Sequence, residues 1–101
     1  SVEEGKSRLS NPTPEFMKPF LGKLSHPELG DAVVEQVKDD FFMTIGKYRS
    51  RLLLSRRPDG KTVLTFTEVP LAGLELAPLV NDPGALELEK EQERYVLKKK
   101  N

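Results

Sequence analysis

From Arg49 to Val69 the chain reads R-S-R-L-L-L-S-R-R-P-D-G-K-T-V-L-T-F-T-E-V, two runs of strand-forming residues on either side of Pro58-Asp59-Gly60. Proline suits the first corner of a type I turn, aspartate the second, and glycine the left-handed position that closes such a turn with a bulge. That turn sets Arg57 opposite Lys61. Counting back from it, Leu54 faces Leu64, Leu52 faces Phe66 and Ser50 faces Glu68, while Leu53 with Thr65 and Arg51 with Thr67 lie on the other side. The hairpin over 49–69 therefore has an apolar face of Leu52, Leu54, Leu64 and Phe66. Its opposite face carries Arg49, Arg51, Arg57 and Lys61, with Leu53 and Val63 as its only apolar members. Burying that second face would strand charge, so it is expected to look outward.

Upstream, residues 1–12 are polar and without periodicity and read as a flexible N-terminal arm, leaving 13–101 as the domain. Thr13-Pro14-Glu15 has the pattern of a helix start: an N-cap, a proline in the first helical position and an acid in the first turn. Phe16, Met17, Phe20, Leu21 and Leu24 continue it as an apolar stripe, with Pro19 kinking the segment or dividing it into two turns. Val33, Val34, Val37, Phe41, Ile45 and Tyr48 recur at spacings compatible with a second helix, from Asp31 to about Gly46, laid across the hairpin. Phe42 and Met43 fall off that stripe and are expected to widen its buried face.

Past the hairpin, Leu74 to Leu79 reads as a short edge strand, since an edge tolerates Pro78. The last segment carries two signals. Asp82-Pro83 can cap a helix, and Ala85 to Lys100 is rich in helix formers with a basic last turn. Against this, Glu87, Glu89, Glu91 and Glu93 alternate at period two with Leu86 and Leu88, which is a strand's pattern. The reading favours helix. The predicted fold is thus α+β: two N-terminal helices packed on a small antiparallel sheet built around the 49–69 hairpin, with a C-terminal helix. A winged-helix arrangement shares the order of helices followed by a basic hairpin, but it needs a third helix that Ser25 to Gly30 is too short to supply.

The chain has 101 residues, 37% of them hydrophobic, which fits one domain with a modest core. Sixteen basic and sixteen acidic residues cancel. Affinity for nucleic acid or an anionic surface would therefore have to come from local segregation of charge. The absence of cysteine removes disulfides and thiol chemistry and fits a reducing compartment. No apolar run is long enough to span a bilayer as a helix and no signal peptide is evident, so an intracellular location, cytoplasmic or nuclear, is expected. The abrupt ends also fit a fragment of a larger protein.

Charge is segregated in one place. Between Lys47 and Lys61 six basic residues, Lys47, Arg49, Arg51, Arg56, Arg57 and Lys61, stand against the single acid Asp59. Arginine forks suit phosphate or carboxylate, but that face has no aromatic on which a base could stack. This favours a non-catalytic protein–protein interaction domain that binds an acidic or extended segment of another protein, through the basic face or through the edge strand. A nucleic-acid-binding domain that meets phosphates through the same residues is the alternative. The basic face can also be balanced internally: if 87–93 is a strand, its glutamates can lie across from the arginines.

No catalytic group, metal site or cofactor is expected. Asp39 and Asp40 would diverge on a helix. His26 is the only histidine, without an evident ligand set, and Ser50 and Ser55 have no base beyond it. The glycines are scattered singly, with no phosphate-binding loop.

Overall fold

The structure, a computed structural model, describes residues 9–100. It is an all-antiparallel, closed barrel of eight strands in which each strand pairs with its sequence neighbours and the last pairs with the first. The strands are β1 (Gly22–His26), β2 (Gly30–Val37), β3 (Asp40–Ile45), β4 (Tyr48–Arg56), β5 (Thr62–Phe66), β6 (Glu75–Pro78), β7 (Leu86–Lys90) and β8 (Glu93–Lys99). The only helical structure among the described residues is α1 (Pro14–Met17) and the single 3-10 turn Lys18–Phe20 that follows it.

The α+β expectation is overturned, and so is the winged-helix alternative. The region read as a helix from Asp31 to Gly46 is the β2–β3 hairpin, with Ala32 opposite Ile45, Val34 opposite Met43 and Val37 opposite Asp40. Ala32, Val34, Phe41 and Met43 are buried in the core. Their period-two spacing was the governing signal, and the valines and Phe41 also satisfied a helical stripe by coincidence. Phe42 is half-buried on the outer side, while Met43 is fully buried. The C-terminal segment is likewise a hairpin, β7–β8, pairing Leu86 with Leu97 and Leu88 with Tyr95. The two turns, at Lys38 and Glu91, place non-glycine residues at φ 58° and 56° and carry no glycine, proline or asparagine to announce them.

The 49–69 hairpin keeps its derived register: Leu52 faces Phe66, Leu53 faces Thr65 and Leu54 faces Leu64. The Arg57 N–H donates to the Lys61 carbonyl (2.7 Å), the Gly60 N–H donates to the Arg57 carbonyl (2.9 Å), and Gly60 takes the left-handed conformation at φ +92°. Leu52, Leu64 and Phe66 are buried in the core, with Leu54 packed against it. Leu74 to Leu79 does contain a strand, but β6 is not an edge, because it is paired with β5 on one side and β7 on the other.

Two strands turn the corners of the barrel. β4 pairs with β3 through Tyr48–Arg51 and with β5 through Leu52–Arg56. β8 pairs with β7 through Glu93–Leu97 and with β1 through Lys98 and Lys99. A strand that changes partners midway leaves backbone groups to satisfy at the crossing. On one side of β4, Ser10 supplies them, exchanging hydrogen bonds with Leu54 (N to O 3.0 Å, O from N 2.6 Å). On the other side the buried Ser50 hydroxyl accepts from the Thr67 N–H (2.9 Å) and the Glu68 N–H (3.0 Å) and donates to the Arg51 carbonyl (2.9 Å).

Fully buried Leu24, Met43, Leu52, Leu64, Leu76, Leu86 and Leu97 fill the interior. One end is stoppered by α1 and the turn after it, whose Met17 and Phe20 join the core. The Thr13 Oγ accepts from the Phe16 N–H (3.1 Å), so the expected N-cap is present, and Pro19 lies in the separate 3-10 turn. Leu71, in the loop between β5 and β6, is buried in the same core. The arm expected over 1–12 lies outside the described residues for its first eight positions. Its remainder runs along the barrel: Ser10 pairs with Leu54 and Pro12 is buried.

Candidate functional site: the outer face of the β4–β5 hairpin

Because β4 alternates sides, Arg49, Arg51 and Arg57 share the outer face of the barrel, and each meets a carboxylate from another strand. Arg49 lies 3.7 Å from Glu35 of β2 and stacks over the Phe42 ring of β3, 4.1 Å from its centroid. Arg51 lies 3.2 Å from Asp40 and donates to Asn11 Oδ1 (2.8 Å), while its Nε is buried without a hydrogen-bond partner. Asn11 Nδ2 donates in turn to the Asp39 carbonyl (2.9 Å) and to Asp40 Oδ1 (3.1 Å).

Arg57 has the most developed contacts. Its Nε donates to Glu75 of β6 (2.9 Å), and its terminal nitrogen bonds both Glu75 and Glu89 of β7 (2.7 Å to the latter). To reach them the guanidinium crosses β5, the strand that carries the fully buried Val63. These hydrogen bonds, first to Glu75 and then to Glu89, raise the pKa of Arg57 further above its already high value. The Glu89 carboxyl is held below its ordinary value by the Arg57 hydrogen bond, reinforced by the Arg57, Arg94 and Lys61 charges.

The six basic residues singled out in the sequence are thus not one patch. Lys47 sits in the β3–β4 turn, 5.7 Å from the Tyr48 ring centroid, at the opposite end of β4 from the hairpin tip. At about 3.3 Å per residue that separates it from the tip by roughly 30 Å. Arg49, Arg51 and Arg57 are matched by acids. Arg56 and Lys61, at the tip, are exposed and have no ion pair among the described residues. Sequence reasoning missed Asn11 and Ser10, which lay in the supposed arm, and missed Glu35 and Asp40 as partners because they stood on a supposed helix.

Elsewhere, His26 Nδ1 accepts from the Glu28 N–H (3.0 Å) and the Leu29 N–H (3.3 Å), closing the β1–β2 turn. The His26 ring meets the Tyr95 ring edge-on at 5.3 Å. The Tyr95 hydroxyl donates to Glu93, and that bond, followed by burial, raises its pKa. An open depression of about 630 Å³ over β1–β3 is lined in part by Leu29, Val33 and Thr44, with the Lys23–Asp31 pair among its walls. Among the described residues no three His, Cys, Asp or Glu side chains converge as metal ligands, and no helix is long and apolar enough to cross a membrane. No family model, curated protein or solved structure matches this chain.

Proposed function

We propose that this barrel is a non-catalytic protein-interaction domain that binds an acidic, extended segment of another protein at the tip of its β4–β5 hairpin. The observation that carries this reading is the division of the basic cluster. Arg49, Arg51 and Arg57 are occupied by Glu35, Asp40, Glu75 and Glu89, whereas Arg56 and Lys61 are exposed and form no ion pair among the described residues. The side-chain-filled interior supports a role on the outer surface. Two cations beside a strand end suit a short run of carboxylates. They form a small footprint for a phosphate backbone, whose binding draws on many cations at once. The test is titration of the chain with a glutamate-rich peptide and with an oligonucleotide. The peptide should bind, and the double variant Arg56→Glu/Lys61→Glu should lose it while keeping the circular-dichroism spectrum of the parent. Preferential, steeply salt-dependent binding of the oligonucleotide would contradict the reading.

A further inference from the structure

Past Arg51, no strand of the described residues lies on one side of β4: β3 pairs only with Tyr48–Arg51, and the edge beyond is met, among the described residues, by the single bridge between Ser10 and Leu54. That bridge shows what the edge accepts: extended backbone, antiparallel to β4, exchanging two hydrogen bonds with Leu54. Three features show that the chain's own segment fits it incompletely. Leu9 and Ser10 are both exposed. The buried Arg51 Nε beside Asn11 has no partner. Finally, Arg56, two positions after Leu54, is exposed and has no ion pair among the described residues, so this end of the edge offers a cation to a segment that extends the antiparallel pairing.

Building on the proposed protein-interaction role, we propose that the free edge of β4 at Leu54–Arg56 is a slot for an extended partner segment, and that Leu9–Asn11 is an internal stand-in that the partner displaces. The partner chemistry follows from the slot. A residue pairs with Leu54 through its backbone. An aspartate or glutamate two positions before it faces Arg56. An asparagine directly after it repeats the Asn11 contacts to Arg51, Asp40 and the Asp39 carbonyl. The affinity is set by competition, because the partner must displace two backbone hydrogen bonds and the asparagine contacts before it forms its own.

Two peptides of residues 7–13 provide the probe, one with the native sequence and one with Arg8→Glu. The Arg8→Glu peptide should bind the intact chain about tenfold more tightly than the native peptide, a difference of about 1.4 kcal/mol. The Arg56→Glu variant should reverse that order. The chain has no cysteine, so Ser10→Cys/Leu54→Cys offers a clean lock: oxidised it should lose the Arg8→Glu peptide, and reduced it should regain it. An order of preference unmoved by Arg56→Glu, or an oxidised lock that binds as well as the reduced form, overturns the slot. If a glutamate-rich peptide still binds the oxidised lock, the slot falls and the acidic-partner reading stands. If the intact chain binds no acidic peptide, both fall.

Discussion

Arg57, at the hairpin turn, donates to the Glu89 carboxylate at 2.7 Å, joining β4 to β7 across the intervening β5 and β6. A basic face that stands out in the sequence is thus largely answered by acids of the same barrel. Because the bond lowers the Glu89 pKa, Glu89 contributes stability above the ordinary carboxylate range, and that contribution is lost as pH falls through its depressed value. Glu89→Gln should therefore lower thermal stability at neutral pH, and the gap from the parent should close in acid, below about pH 4. A gap independent of pH would show that the ion pair is not its origin.

Ser50 should be the most sensitive polar position. Its hydroxyl accepts from the Thr67 and Glu68 amides where β5 parts from β4, the Thr67 amide also reaching the Arg51 carbonyl (3.3 Å), and it is almost wholly buried. Ser50→Ala leaves the Glu68 amide without that acceptor and the Thr67 amide with the Arg51 carbonyl alone, at an expected cost of about 1–3 kcal/mol in urea unfolding. A loss within experimental error would mean that the Glu68 amide finds another acceptor.

Met17 tests the stopper. Its side chain is fully buried in the core although it belongs to a four-residue helix outside the sheet. Met17→Ala should cost about 2–5 kcal/mol, as for a large core truncation. A surface-like loss below about 0.5 kcal/mol would show that α1 is not seated in the barrel end.

Gly84 precedes β7 at φ +90°, and a Cβ there would lie 3.2 Å from the Pro19 carbonyl oxygen and 3.3 Å from Lys99 Cγ. Both the backbone conformation and the space resist a side chain, so Gly84→Ala should destabilise by more than about 1 kcal/mol. An unchanged melting temperature would contradict this close approach between the β6–β7 turn and the stopper.

The parts of the fold legible in the sequence are those whose turn chemistry is explicit. Pro58-Asp59-Gly60 gave the register of β4 and β5, and Thr13-Pro14 gave the start of α1. The β2–β3 and β7–β8 hairpins were hidden because their turns place Lys38 and Glu91, not glycine, at positive φ. Without a visible turn, Val33, Val34, Val37 and Phe41 counted equally well toward a helix. In the last segment the alternation of Glu87 and Glu89 with Leu86 and Leu88 did report a strand, and strong helix formers outweighed it. The site was readable as far as the cations and the glutamate run that contributes Glu89. Glu35, Asp40 and Asn11 come to the face only through the closed topology, which no local pattern carries.

The most direct test is to map the amide chemical shifts of the intact, isotope-labelled chain during titration with a glutamate-rich peptide. The account predicts saturable shifts concentrated at Leu54–Lys61 and at Ser10 and Asn11. Shifts confined to the depression around Leu29, Val33 and Thr44, or none at all, would contradict it.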